Sequence, residues 1–326
     1  MKLGSLRDGS LDGMPVVVSR DLATAVSARI VVANWQLALE HWADTSPALE
    51  ALYGALNSGT ATGVIALQGR DFESPLPRAY QFLDGSAYLN HAERVRRARG
   101  AEMPESFRSD PMMYQGLSDR FLGPTDDILA ADEAWGIDFE AEIGVIVDRV
   151  PMGIAARDAA AHILLVVLLN DVSLRNLIPG EVAKSFGFIH GKPASAFAPV
   201  AVTPDTLGPA WDGGRLHGPV RVDYNGESFG RTDAGKDMNF DFPALIAHAA
   251  KTRSLAAGTI IGSGTVSNRD RDAGSSCIAE RRMIETIDFG APKTPFMAFG
   301  DRVRIEMTGA DGQSIFGAID QRVRQA

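Results

Sequence analysis

"GIDFEAEIGVIVD", residues 136–148, alternates apolar and polar side chains with a period of two. Such alternation predicts a β-strand that turns one face to the core. Glu140 and Glu142 then project from the other face, one pleat repeat apart, although Glu is a poor strand former and like charges this close repel each other. A solvated sheet face is the simpler explanation of the two acids, and a cation bound between them is the alternative.

The chain beyond residue 81 contains short apolar or alternating runs separated by Gly, Asn or Asp, which is typical of β-strands. We expect strands in DFEAEIGVIVD, ILLVVLLND, PVRVDYNGES, GTIIGSGTV and DRVRIEMTG, with a hairpin turn at YNGE. Helices are expected at ARDAAAHI and at DFPALIAHAAKT, where Asp241 is a good N-cap. Because strands outnumber helices and do not alternate regularly with them, the sequence predicts a β-rich α+β fold, a roll or sandwich with peripheral helices.

Residues 1–80 are predicted to form a small N-terminal domain, and residues 81–326 a larger second domain. MPVVVSRD indicates a strand. WQLALEHWADTSPALEALYGALNSG indicates two helices, interrupted near Ser46 and Pro47 and closed by Gly59. The proline-rich FESPLPRAYQ marks the boundary. The candidate functional residues described below all lie after this boundary, so the first domain is expected to serve packing or assembly.

Composition indicates a globular protein whose partner is neither nucleic acid nor a membrane. The 326 residues carry a formal net charge of -9, and Lys and Arg are scattered apart from RVRRAR. The single Cys277 excludes an intramolecular disulfide and a cysteine metal cluster, and it fits a reducing cytoplasm. ILLVVLL is too short to span a bilayer, and the polar start lacks the apolar region of a signal peptide. We therefore expect a cytoplasmic location.

Three further side chains are candidates for metal binding or catalysis. Asp171 ends an apolar strand, where a charge costs free energy unless it is paired or metal-bound, although an Asp that caps a turn is the simpler explanation. A helix expected from Ser86 to Gly100 points His91 where its apolar residues point, and a core-edge histidine bonded to a carbonyl is the simpler explanation. Asp84 could face the same way if the helix extends back to it. Carboxylates without nearby His or Cys suit Mg²⁺, Ca²⁺ or Mn²⁺.

Two loops complete the pattern. HGKPASAFAPVAVTP places Lys192 on a rigid turn, from which it could reach an anionic intermediate or simply lie on the surface. GSGTVSNRDRDAGSSCIAE is rich in Gly, Ser and Thr, offers backbone N–H groups to an oxyanion and leads to Glu280. It lacks the GKS or GKT of a Walker loop.

Together and in this order, these motifs resemble the fumarylacetoacetate hydrolase superfamily from about residue 81 to the C-terminus. The resemblance rests on the E-x-E strand, NDVSLR, GKPASAFAP and GTIIGSGTVSN. LDGSAYLNHA, PMMYQG and GSSCIAE are similar to motifs of fumarylacetoacetase, a member of that superfamily, the last with one more residue in its loop. The N-terminal unit matches the small first domain of fumarylacetoacetase in position only.

The resemblance implies a site of eleven residues. They are Asp84, Glu140, Glu142 and Asp171 as metal ligands, His91, Glu280, Lys192 and Arg175 as catalytic residues, and Tyr114, Gly264 and Thr265 as substrate-binding residues. There are three departures from the family pattern. Leu177-Ile178 replaces an expected glutamine, Ser86 replaces an expected tyrosine, and the arginine expected after the histidine could be Arg97 or Arg99.

The implied activity is metal-dependent hydrolysis of a C–C bond in a 1,3-diketone acid. By resemblance, His91 and Glu280 would activate water, while Arg175 and Lys192 would stabilise the developing negative charge. The implied substrate is fumarylacetoacetate, cleaved to fumarate and acetoacetate in tyrosine degradation, and the implied assembly is a homodimer. The alternatives are an acylpyruvate hydrolase, a decarboxylase, isomerase or hydratase of the same fold, and a non-catalytic metal-stabilised binding protein.

Overall fold

The computed structural model of the protein describes residues 1–98, residue 100 and residues 102–326. Its strands are β1 (Lys2–Leu6), β2 (Met14–Val18), β3 (Thr24–Ser27), β4 (Ile65–Ala66), β5 (Phe82–Gly85), β6 (Met113–Gly116), β7 (Ile128–Ala130), β8 (Ile137–Asp138), β9 (Ala141–Val147), β10 (Ile163–Asn170), β11 (Ser173–Leu174), β12 (Ala196–Phe197), β13 (Val200–Val202), β14 (Pro219–Tyr224), β15 (Glu227–Asp233), β16 (Ile260–Gly262), β17 (Arg302–Met307) and β18 (Ile319–Gln325). Its α-helices are α1 (Trp35–Glu40), α2 (Trp42–Asn57), α3 (Leu89–Ala98), α4 (Ala156–Ala159), α5 (Ile178–Val182), α6 (Phe242–Ala249) and α7 (Ile278–Phe289). The predicted strand-rich α+β class with peripheral helices is confirmed.

Two sheets dominate the fold. The larger sheet has the strand order β4-β3-β2-β1-β13-β10-β9-β16-β5-β6, and the smaller has the order β15-β14-β17-β18-β7. Along β10, Val166 and Leu168 belong to one buried apolar cluster, while Val167 and Leu169 belong to another. Both faces of this strand are therefore covered, which explains why its sequence is a continuous apolar run rather than an alternating one.

The stretch 136–148 forms two strands, β8 and β9, with a break at Phe139 and Glu140. Its acids are buried, since Glu140 is 4% exposed and Glu142 is 0% exposed. A solvated sheet face is therefore wrong as the explanation of the paired acids. The physical reason is the position of β9 inside the larger sheet, between β10 and β16, where other elements cover both of its faces.

Local chemistry sets several element boundaries. The hairpin between β14 and β15 turns at Asn225 and Gly226, whose φ angles of 52° and 84° are those that an Asn-Gly turn supplies. Asp241 caps α6 by accepting a hydrogen bond from the N–H of Ala244 at 2.9 Å. Across the described ranges, no helix combines the length and apolarity needed to cross a membrane.

Two helix boundaries differ from the sequence-based expectation. The first two helices break at His41, whose backbone leaves helical geometry at φ -123° and ψ 39°, and Pro47 lies inside α2. The helix expected from residue 86 begins at Leu89, and Asp84 lies on strand β5 instead. Asp84 and His91 therefore come from different elements, and their spacing of seven residues does not reflect two turns of one helix.

The N-terminal residues extend the larger sheet rather than standing apart from it. β1 pairs antiparallel with β13, with Leu3 opposite Ala201. Leu3 and Trp35 belong to the same apolar cluster as Leu165 and Phe197. The two parts of the chain thus share both a hydrogen-bonded edge and a buried apolar surface.

Deletion of residues 1–78 is therefore expected to leave a chain that aggregates on purification. The deletion exposes the edge of β13 and the apolar side chains that the first residues cover, and both features promote association. Size-exclusion chromatography and thermal unfolding of a chain that starts at Ala79 test this expectation. A monodisperse truncated protein with the melting temperature of the full-length chain would contradict it.

Candidate active site

Three carboxylates meet at one edge of the larger sheet. Asp84 lies on β5, Glu142 on β9, and Asp171 directly follows β10. One oxygen atom from each carboxylate lies within 4.8 Å of the others, and all three side chains are buried. Residues that are far apart in the sequence thus form one compact acidic group.

Gly262 explains how two of these acids approach each other. It lies on β16, between β5 and β9, and it is in register with Asp84. A Cβ atom at Gly262 would lie 2.4 Å from Asp84 Oδ1 and 3.2 Å from Glu142 Oε2. Because glycine has no side chain, the two carboxylates can share the space above it.

The acidic group fits a divalent cation. Both side-chain oxygens of Glu142 are buried without a hydrogen-bond partner among the described residues. Burial and the charges of Asp84 and Asp171 raise the pKa of Glu142 well above its usual value. Burial and Asp171 likewise raise the pKa of Asp84 to about 8. Lys192 at Asp171 offsets only part of this negative charge, since the pKa values of Glu142 and Asp84 stay raised. An all-oxygen set is what hard divalent cations prefer.

These pKa shifts predict how the stability of the metal-free protein depends on pH. The unfolded chain releases the proton of an Asp near pH 4, whereas folded Asp84 holds its proton up to about pH 8. The free energy of unfolding should therefore fall as the pH rises through this window, because the folded state binds more protons. Chemical unfolding between pH 5 and pH 8, with EDTA and with Mn²⁺, measures this slope. We expect Mn²⁺ to weaken this dependence on pH. A free energy of unfolding that rises with pH in EDTA would contradict the raised pKa of Asp84.

Glu140 lies beside the acidic group and has different partners. Its carboxylate accepts hydrogen bonds from Arg175, from Lys192 Nζ at 2.6 Å and from Thr265 Oγ1 at 2.8 Å. Burial alone would raise the pKa of Glu140, but Arg175 and Lys192 outweigh burial and lower it. Lys192 Nζ also donates to Asp171 Oδ2 at 2.5 Å. Glu140 thus pairs with two cations here, while the other three predicted ligands form the acidic group.

Two of the predicted substrate-binding residues contact the acidic group. The Tyr114 hydroxyl on β6 donates to Asp171, and its ring centroid lies 5.1 Å from Lys192 Nζ. The N–H of Gly264 donates to Asp84 Oδ1 at 2.9 Å. Gly264 has φ +74°, and a Cβ atom there would lie 2.4 Å from the carbonyl oxygen of Gly85, so this close approach requires glycine.

His91 and Glu280 form a hydrogen-bonded pair although 189 residues separate them. His91 Nδ1 lies 2.6 Å from Glu280 Oε2, and Glu280 is fully buried in the first turn of α7. Burial alone would raise the pKa of Glu280, but His91 and Arg94 lower it. The partner of His91 is therefore a charged carboxylate rather than a backbone carbonyl. This contact orients the imidazole so that Nε2 is the nitrogen that accepts a proton.

One loop connects the acidic group with the His–Glu pair. Gly264 contacts Asp84, and Ser267 Oγ donates to Glu280 Oε2 at 2.6 Å. Three residues of extended chain span at most about 11 Å. Since Gly264 and Ser267 are three residues apart, one short loop holds both the acidic group and the His–Glu pair.

The arginine that holds Glu280 is not among the residues singled out from the sequence. Arg94 donates to Glu280 Oε1 at 2.6 Å. The family resemblance places an arginine after the histidine at Arg97, which is exposed, or at Arg99, which lies outside the described residues, and gives neither of them this contact. A spacing of three residues places His91 and Arg94 on the same face of α3, and this spacing was the signal available in the sequence.

Asp138 was also missed, although it stands in the alternating stretch two residues before Glu140. It is fully buried. Its carboxylate accepts hydrogen bonds from the N–H groups of Ile278 at 2.7 Å and Ala279 at 2.9 Å, and from Arg175 Nε at 2.8 Å. Asp138 thus ties Arg175 to the N-terminus of the helix that carries Glu280, where a negative charge is favourable.

Family models match almost the whole chain. Residues 81–324 match the fumarylacetoacetate (FAA) hydrolase C-terminal model, and residues 1–78 match the fumarylacetoacetase N-terminal domain 2 model. The chain therefore belongs to the fumarylacetoacetate hydrolase family. It is an enzyme of a superfamily whose members include hydrolases, isomerases and tautomerases.

Individual relatives differ in their reactions. Oxaloacetate tautomerase FAHD2A of Bos taurus is 27% identical over 256 residues, which cover 68% of this chain and 78% of that protein. Maleylpyruvate hydrolase from Sphingobium sp. SYK-6, solved with manganese(II) and pyruvate, has a TM-score of 0.66 at 19% identity, with both chains fully covered. Fumarylacetoacetate hydrolase from Exiguobacterium antarcticum has a TM-score of 0.66 at 18% identity over both full chains. These two structures share the fold.

Proposed function

We propose that this enzyme hydrolyses a C–C bond in a 1,3-diketone acid, with Mg²⁺, Mn²⁺ or Ca²⁺ held by Asp84, Glu142 and Asp171. The observation that carries this proposal is the buried Glu280 carboxylate on His91 Nδ1, next to the acidic group. A histidine supported by a carboxylate is the usual means of activating water. Fumarylacetoacetate and the acylpyruvates both contain the 1,3-diketone that this chemistry needs.

When bound by Asp84, Glu142 and Asp171, a divalent cation would supply the Lewis acidity that polarises a carbonyl. His91 Nε2 takes a proton from water, whose oxygen forms the new bond to the carbonyl carbon. Glu280 stabilises the imidazolium through Nδ1, and Arg94 holds Glu280 in place. When the C–C bond breaks, its electron pair passes to the departing half as an enolate, and Lys192 and Arg175 stabilise that charge. His91 then returns the proton to the enolate carbon.

Tautomerisation of a 2-oxo acid is the second candidate function, favoured by the similarity to oxaloacetate tautomerase FAHD2A. It would use the same acidic group and a proton-transfer residue, but no water would attack the substrate. The two reactions therefore differ in whether oxygen from the solvent enters a product.

The decisive experiment incubates the Mn²⁺-loaded enzyme in H₂¹⁸O with fumarylacetoacetate, with a panel of acylpyruvates and with enol oxaloacetate. We expect C–C cleavage with one ¹⁸O atom in the carboxylate of the released acid, detected by mass spectrometry. His91→Ala protein serves as the control for contaminating activity. Rapid tautomerisation of oxaloacetate, with no cleavage of any diketone acid, would show that the enzyme is a tautomerase and not a hydrolase.

A further inference from the structure

Two buried amide side chains connect the smaller sheet with the acidic group. Gln321 lies on β18 of the smaller sheet, Asn170 ends β10 of the larger sheet, and both are fully buried. Gln321 Nε2 donates to the backbone carbonyl of Asp126 at 2.8 Å, and Asn170 Nδ2 donates to Gln321 Oε1 at 2.9 Å. The N–H of Glu140 donates to Asn170 Oδ1 at 2.9 Å. These three hydrogen bonds are called the amide relay below.

The direction of the amide relay is fixed at both ends. The N–H of Glu140 can only donate, so the oxygen atom of the Asn170 amide faces it and the nitrogen atom faces Gln321. The backbone carbonyl of Asp126 can only accept, so the nitrogen atom of the Gln321 amide faces it. Asn170 Nδ2 and Gln321 Oε1 then form a donor–acceptor pair. Only one orientation of the two amides satisfies all three hydrogen bonds.

The amide relay ends beside two of the proposed metal ligands. Asn170 directly precedes Asp171. Glu140 lies two residues before Glu142, at the break between β8 and β9. The N–H of Asp171 donates to the carbonyl oxygen of Glu140 at 2.9 Å. Asn170 and Asp171 thus hold the backbone of Glu140 through its N–H and its carbonyl, so a displaced Asn170 would shift Asp171 relative to the start of β9.

The two amides interrupt a region that is otherwise apolar. Ile319 and Val323 flank Gln321 on the same face of β18, and both are fully buried. They belong to the same apolar cluster as Leu168, which lies two residues before Asn170 on β10. Apolar side chains would fill this space without the cost of burying polar groups. Amides add what apolar groups lack, which is a fixed direction for the groups that they bind.

We propose that Gln321 and Asn170 are positioning residues of the metal site, through which the smaller sheet fixes Asp171 relative to Glu142. The inference rests on the metal site of the proposed function and not on the reaction catalysed there. Groups that lie behind metal ligands and orient them typically contribute about 10- to 100-fold to metal affinity. Gln321 acts one contact further from the metal than Asn170, so its contribution lies at the lower end of this range.

The test measures Mn²⁺ affinity of the full-length, chelator-treated protein by titration, with the EPR signal of free Mn²⁺ as the readout. Gln321→Met keeps the length of the side chain but removes two of the three hydrogen bonds, and we expect it to weaken Mn²⁺ binding by about 10-fold. Val323→Ala is the matched control, because it removes buried apolar volume from the same strand. It should lower the melting temperature but change Mn²⁺ affinity by less than about twofold.

A double-variant cycle tests whether the two amides act together. Asn170→Ala should weaken Mn²⁺ binding at least as much as Gln321→Met. The double variant should bind Mn²⁺ like Asn170→Ala alone, because Gln321 reaches the metal site only through Asn170. Independent losses that multiply in the double variant would overturn the amide relay. If Asn170→Ala does not fold, the comparison of Gln321→Met with Val323→Ala decides.

Two results would overturn the positioning role and leave the proposed function standing. One is wild-type Mn²⁺ affinity in Gln321→Met. The other is an equal loss of affinity in Gln321→Met and Val323→Ala, which would show that the loss comes from general destabilisation. A wild-type protein that binds no divalent cation would instead overturn the metal site of the proposed function, and this inference with it.

Discussion

His91→Ala is expected to lower kcat on diketone acids by about a hundred- to ten-thousand-fold, the usual effect of losing a proton-transfer group. Metal binding should remain nearly intact, because His91 is not part of the acidic group. Glu280→Gln keeps the shape of the side chain but loses the charge that stabilises an imidazolium, so it should slow turnover as well. The kcat of the double variant should equal that of the slower single variant, because His91 and Glu280 act together in one proton transfer and their effects do not add.

The control for this prediction is a second histidine–carboxylate pair. His162 Nδ1 lies 2.5 Å from Asp148 Oδ1, and neither residue belongs to the proposed site. His162→Ala should therefore keep wild-type kcat. Steady-state kinetics of the two single variants, the double variant and this control measure the effect. If His91→Ala turns over diketone acids at the wild-type rate, the water-activating role is wrong and a decarboxylase or isomerase becomes the better assignment.

Removal of the metal should abolish turnover, and Mg²⁺, Mn²⁺ or Ca²⁺ should restore it. Glu142→Ala should weaken metal binding by more than about 10- to 100-fold, because even the loss of a group behind a metal ligand costs that much. Glu142 is the informative position, since both of its oxygens are buried without a hydrogen-bond partner among the described residues. Titration of chelator-treated protein with Mn²⁺ measures the metal affinity. The kcat recovered after the titration shows whether the bound metal supports turnover.

Glu105→Ala is the matched control for the metal prediction. Its side chain is 91% exposed, so it should bind Mn²⁺ like the wild-type protein. Circular dichroism of Glu142→Ala shows whether weakened binding comes from a lost ligand or from a lost fold. Full activity in protein confirmed to be free of metal would contradict the metal site altogether.

Local chemistry made much of the fold predictable from the sequence. The Asn225-Gly226 turn, the Asp241 cap and the apolar run of β10 were all visible as patterns, because each depends on residues close together in the chain. The order of short motifs also indicated the family, which the matching models confirm. The same patterns singled out Asp84, Glu142 and Asp171 and the separate residues His91 and Glu280.

The tertiary structure alone decided how these residues meet. Periodicity predicts that Glu140 and Glu142 share a face of one strand, but Glu140 lies just before β9, and the burial of Glu142 depends on β9 lying between β10 and β16. Asp84 reaches Glu142 only because β5 pairs in parallel with β16 and places Gly262 beside it. The sequence by itself therefore determined which side chains could do the chemistry and which local elements carry them. Their distances and charges depend on long-range strand pairing and on exclusion of water, and neither is encoded in a local pattern.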